Sequence, residues 1–170
     1  MRVAGIVLAT ALALAVQTTL ARFVIRGTVA VDPVLVVVVY VALSYGSVTG
    51  LLTGTFAGLA QDITLSSGLI GVGGLAKSIV GFLSGIVGTQ FIVTQTLPRF
   101  VVFFGATVLH QLIFNGLYAA IGQRDFSVPY GAILGQSLGN AIVGVVAFQL
   151  AELLPGAVER RKLTRTKLRR

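Results

Sequence analysis

Ionisable and hydrogen-bonding side chains are scarce in this chain of 170 residues, so the few that interrupt its apolar stretches are the first candidates for chemistry. Asp62 ends an apolar run in the context Gly58-Leu59-Ala60-Gln61-Asp62, with Thr64, Ser66 and Ser67 just beyond. A carboxylate there can organise a polar turn by accepting hydrogen bonds from those hydroxyls, or it can anchor a partner. Lys77 lies about eight residues into the next apolar run, roughly 12 Å along a helix, where an unpaired ammonium is costly. Three fates are open to it: snorkelling outward, pairing with Asp62 across a hairpin, or lining a wet cavity. His110, Gln111 and Asn115 fall within a later apolar run, and Gln136 and Asn140 sit one turn apart in the last. Interhelical hydrogen bonds of about 1 kcal/mol each account for such residues without a ligand.

Catalytic constellations fare poorly. Gly81-Phe82-Leu83-Ser84-Gly85 sets a serine among glycines and His110 is the single histidine, so an intramembrane serine protease is one reading. It requires Ser84 and His110 to converge. The same glycines and serine are ordinary packing residues of membrane helices. An aspartyl site needs two facing carboxylates, and Asp62 alone is suitably placed. There are no cysteines, which excludes disulfides, thiolate metal sites and cysteine nucleophiles. With one histidine and scattered carboxylates, we expect no metal, no cofactor and no catalytic residues.

The elements that must position these side chains follow from composition. The chain is 55% hydrophobic and 11% charged, with a mean hydropathy of +0.95, the profile of an integral membrane protein. At about 20 residues per crossing plus turns, six spans are the ceiling. Residues 3–21 form the first apolar run. A cation followed by an apolar stretch also describes a signal peptide, but apolar segments follow at once and a retained helix is expected. Asp32 and Pro33 make a helix start, a capping carboxylate before a proline at the first helical position. Residues 34–60 are apolar except at Ser44-Tyr45-Gly46-Ser47, which predicts two short helices turning at Gly46; one long tilted helix is the alternative. Further helices are expected over 69–92, 100–121 and 131–154, with Pro98 in the turn before the fifth and Pro155 and Gly156 closing the sixth. The expected fold is therefore an all-α six-transmembrane-helix bundle over 1–156, with a basic cytoplasmic tail over 157–170.

Small residues mark the packing faces. Gly50, Gly54 and Gly58 recur every fourth residue, and Gly74, Lys77, Ser78, Gly81, Gly85 and Gly88 follow at spacings of three and four. The pattern predicts a helical hairpin over 50–88 whose halves approach closely.

Of the thirteen basic residues seven lie in the tail: Arg160, Arg161, Lys162, Arg165, Lys167, Arg169 and Arg170. Beside a membrane helix this charge suits anionic lipid rather than nucleic acid. With the N-terminus inside and six spans, nine basic residues lie inside (Arg2, Arg99 and the tail) against three outside (Arg22, Arg26, Arg124), as the positive-inside rule requires.

The stretch Gly54-Thr55-Phe56-Ala57-Gly58-Leu59-Ala60-Gln61-Asp62, then Ser67-Gly68-Leu69-Ile70-Gly71 and Leu75-Ala76-Lys77-Ser78-Ile79-Val80-Gly81, with the Asp32-Pro33 start, resembles the rod shape-determining protein MreD family. The family's Gly-x3-Gly-x3-Asp core maps onto Gly54, Gly58 and Asp62, and its small-residue turn onto Ser67 and Gly68. The likeness is carried by the central third and elsewhere by hydropathy alone. It carries no role over to Lys77. It implies a non-catalytic scaffold subunit of the bacterial cell-elongation complex in the inner membrane. Such a subunit binds MreC, works with MreB, RodA and a class B penicillin-binding protein, and supports cell shape and peptidoglycan synthesis. It also implies a fold similar to the substrate-binding subunits of energy-coupling-factor transporters, which supplies the alternative function, a small-molecule-binding subunit of a vitamin transporter. Gly50, Gly54, Gly58, Asp62, Ser67, Gly68, Lys77 and Gly81 form the expected packing and partner face.

Overall fold

The structure, a computed structural model, describes residues 2–23, 31–65, 69–90, 95–122 and 130–153. Six helices follow one another, and no strand occurs among the described residues: α1 (Arg2–Phe23), α2 (Pro33–Tyr45), α3 (Ser47–Leu65), α4 (Val72–Gln90), α5 (Thr96–Ala120) and α6 (Tyr130–Leu153). Three of them, α4, α5 and α6, are long and apolar enough to cross a membrane. The expected tail, Ser67 and Gly68 lie outside the described residues.

The apolar stretch 34–60 is two helices, as the break predicts. Gly46 turns between α2 and α3 with φ 97°, a conformation that side chains with a Cβ resist, and its amide closes α2 on the Ala42 carbonyl at 2.9 Å. At the other end Asp32 caps α2: its carboxylate accepts from the Leu35 amide at 2.9 Å, and Pro33 takes the first helical position.

With thirteen residues α2 is about 20 Å long, shorter than an apolar layer of about 30 Å, so it is not built as a lipid-facing span. It is the central element instead. Seven of its residues are buried, and it touches all five other helices. Leu35, Val36 and Val39 pack with Val80 of α4, Phe103 and Ala106 of α5, and Ala141 and Phe148 of α6. Val34 and Val38 pack on Ala13 of α1 and Ala57 of α3.

Helix α5 begins four residues before the expected position, so Pro98 lies in its first turn and not in a loop. The first four amides of a helix have no intrahelical acceptor, so a proline there sacrifices nothing. Arg99 consequently sits on the helix, buried, where it forms a bidentate pair with Glu152 near the end of α6 at 2.6 and 2.9 Å and covers the Phe148 ring at 4.2 Å. The ends of α5 and α6 are thereby pinned together.

Candidate functional site

The hairpin of α3 and α4 has the most extensive contact in the molecule, and its small residues make that contact possible. A methyl group at Gly54 would strike the backbone of Lys77 and Ser78, one at Gly58 the backbone of Gly73 and Gly74, and one at Gly81 the backbone of Gly50. Gly85 lies equally close to the backbone of Ser47, and Gly88 to Leu43. Without Cβ atoms the helices approach until van der Waals contact between backbones holds them, the attraction available where lipid is as apolar as leucine. Thr55 and Ser78 add a hydroxyl bond across the hairpin at 2.7 Å.

Asp62 serves the start of α4. Its Oδ2 accepts from the amides of Gly71, Gly73 and Gly74 at 2.9, 3.0 and 3.3 Å. The expected hydroxyl partner Thr64 instead donates to the Ala60 carbonyl of its own helix at 2.6 Å, while Ser66 lies outside the described residues. Negative charge at a helix N-terminus meets free amides and the positive end of the macrodipole, so the carboxylate is consumed structurally, and its residue is buried. Gly71, at φ 107°, bends the chain so that its own amide joins the set.

Lys77 does not reach Asp62. Its Nζ lies 2.8 Å from Asp32 Oδ2, with the two side chains 3% and 5% exposed, and 3.1 Å from His110 Nε2. The polar network continues outward. The Asp32 amide donates to Asn140 Oδ1 at 2.7 Å, Asn140 Nδ2 donates to Thr107 Oγ1 at 3.1 Å, and Thr107 donates to the Phe103 carbonyl at 2.8 Å. Three helices and the cap of α2 thus meet at one interior centre: Asp32, Lys77 from α4, Thr107 and His110 from α5, and Asn140 from α6. All five are buried. Opposite charges at hydrogen-bonding distance compensate each other's desolvation, and the Leu35 amide donates to the other carboxylate oxygen of Asp32 at 2.9 Å.

Sequence reasoning grouped Lys77 with the hairpin face and treated Asp32 only as a cap. The signal that joins them is weak: a lysine deep in an apolar run needs an anion, and two carboxylates are buried among the described residues, Asp32 and Asp62. The amides of the α4 start take the second, which leaves the first. Of the predicted interhelical residues, Gln111 and Gln136 bond to each other and Asn140 bonds to Thr107, whereas Asn115 bonds to the Gln111 carbonyl of its own helix at 2.8 Å. Ser84 is buried on α4 seven residues beyond Lys77, about 10 Å along the axis, and His110 is engaged by Lys77 and stacked on Phe114. No hydrogen bond joins Ser84 to His110 among the described residues.

No group of three or more histidine, cysteine or acidic side chains suited to a metal ion occurs among the described residues. Comparison with known family models, curated proteins and solved structures finds no match to the chain.

Proposed function

We propose that the chain is a non-catalytic scaffold subunit of the bacterial cell-elongation complex, of the MreD kind, crossing the inner membrane six times with both termini in the cytoplasm. The observation that carries this reading is the use made of the residues on which the resemblance rests. Gly54, Gly58 and Asp62 all act inside one rigid hairpin, two as backbone contacts and one as the cap of α4. Residues spent in this way build a fixed surface, which is the requirement for holding MreC in register with MreB, RodA and a class B penicillin-binding protein. The large apolar side chains Phe56, Ile63, Leu75 and Ile79 of the hairpin point outward and are available to lipid or a partner helix. In this topology α2 and α3 together make two crossings, the short α2 lying against all five other helices with seven of its residues buried in protein.

A second reading, a small-molecule-binding subunit of an energy-coupling-factor-type vitamin transporter, is favoured by the polar centre around Asp32, Lys77 and His110. Affinity purification from membranes separates the two. MreC recovered in near-equal amount supports the scaffold; an ATPase module recovered in its place, with MreC missing, overturns it.

A further inference from the structure

Two buried polar atoms, Nδ1 of the His110 ring that Lys77 contacts and Oγ of Ser137, three residues before Asn140 on α6, have no hydrogen-bond partner among the described residues. His110 is 5% exposed and Ser137 is fully buried. The register of α5 against α6 sets the two residues at one level of the helix pair. Asn140 bonds Thr107, Gln136 bonds Gln111, and the Phe103 ring lies against Gly144. Each step of four residues along α5 is answered by four back along α6, as in any antiparallel helix pair. His110, three residues beyond Thr107, therefore comes opposite Ser137, three residues before Asn140. His110 also shares the helical face of Thr107 and Gln111, and Ser137 that of Gln136 and Asn140. The two residues therefore share one level of the α5–α6 seam, and their side chains are not bonded to each other.

The chemistry of the missing partner follows from the known bonds. The ammonium of Lys77 has donors only, so His110 Nε2 accepts from it and the ring proton resides on Nδ1. The open group on His110 is thus a donor, and Ser137 Oγ can both donate and accept. Asp32 and Lys77 cancel in charge, so the surroundings favour a neutral occupant. A buried donor left without an acceptor costs about 1–3 kcal/mol, and buried polar groups that find no protein partner are ordinarily satisfied by a small bound molecule.

We propose that the α5–α6 seam holds a binding site for one small neutral hydroxyl species, whose oxygen accepts from His110 Nδ1–H and bonds Ser137 Oγ. The oxygen comes from water or from the hydroxyl of a small solute. Once bound, it completes a polar chain from Asp32 through Lys77 and His110 to Ser137, and so from the α2 cap to α6. The site is independent of the scaffold reading, because it concerns the interior of the bundle and not its partners.

His110 is the single histidine in the chain, so 15N-histidine labelling of the full-length protein in bilayers, with any affinity tag removed, reports on this ring alone. The expected spectrum is that of the neutral Nδ1–H tautomer, with magnetisation passing to Nδ1–H from the water resonance or from carbon-bound protons of a retained solute. The former identifies water and the latter a solute. Ser137→Ala is expected to shift the Nδ1 resonance and diminish the transfer, whereas Ser84→Ala leaves both unchanged. An Nε2–H tautomer, no transfer in the unsubstituted protein, or a Ser137→Ala spectrum identical to the original would overturn the proposal.

Discussion

Lys77 illustrates how one charged side chain can be both a liability and an organiser. Its ammonium is stabilised inside the bundle because Asp32 supplies a full negative charge at 2.8 Å and His110 a neutral acceptor at 3.1 Å. Removing only one partner leaves the other charge buried and uncompensated, which costs more than the intact pair contributes. Lys77→Met is therefore expected to destabilise the protein by about 3–5 kcal/mol. Asp32→Asn combined with Lys77→Met is expected to cost clearly less than the sum of the two single changes. Thermal unfolding in detergent of the four proteins in this cycle measures the coupling. Strict additivity would show that the pair is not an energetic unit. Lys77→Arg is a poor substitute, since the broader planar guanidinium does not fit a point contact with both Asp32 Oδ2 and a ring nitrogen.

Among the helices, α3 and α4 depend on shape and α2 on enclosure. The glycines of the hairpin differ sharply from those elsewhere. Nothing lies within 4 Å of an added Cβ at Gly105, Gly116 or Gly135, whereas Gly54 faces the carbonyl of Lys77 directly. Gly54→Leu is expected to separate α3 from α4, lowering the melting temperature and the yield of folded protein. It also shifts the turn of α4 that carries Lys77, so the effect extends to the polar centre. Gly105→Ala is expected to be neutral, or to stabilise by up to about 1 kcal/mol, because alanine is the better helix former and meets open space. Equal melting temperatures for Gly54→Leu and Gly105→Ala would refute close helix approach as the reason for the pattern. The short α2 follows a different rule: it touches every other helix, and seven of its thirteen residues, all apolar, are buried, while Pro33, Val37, Tyr40 and Ser44 are only partly covered.

For the whole molecule, the proposed orientation rests on the distribution of basic charge. In that orientation the seven cations of residues 160–170 would meet an anionic cytoplasmic leaflet, which attracts each by about 1 kcal/mol. Thr166→Cys creates the only thiol in the chain, and an impermeant reagent is expected to label it in permeabilised but not in intact cells. Labelling in intact cells would overturn both the six-span count and the orientation. Lys77, neutralised by Asp32, does not bear on this balance, and setting aside Arg99, which is buried and paired with Glu152, lowers the inside count from nine to eight against three.

Local patterns were enough to find six helices, the Asp32-Pro33 start, the Gly46 turn and the glycine face of the hairpin, because each is a property of a few consecutive residues or of helical periodicity. The start of α5 was misread by four residues, since Pro98 is tolerated in a first turn as readily as in a loop and local chemistry does not distinguish the two. Partner choice was less legible still. Asp62 is near Lys77 in sequence and pairing with it is one of three fates the sequence leaves open, yet the amides of Gly71, Gly73 and Gly74 occupy it, and Asp32 reaches Lys77 from a different helix cap. Arg99 with Glu152, Gln111 with Gln136, and His110 opposite Ser137 likewise depend on which helices become neighbours and in what register. That arrangement is set by packing across the whole bundle, above all by how closely the glycines let α3 and α4 approach and how α2 fills the space among the others. Periodicity identifies the face of a helix that will be buried; it carries no information about the face that will meet it.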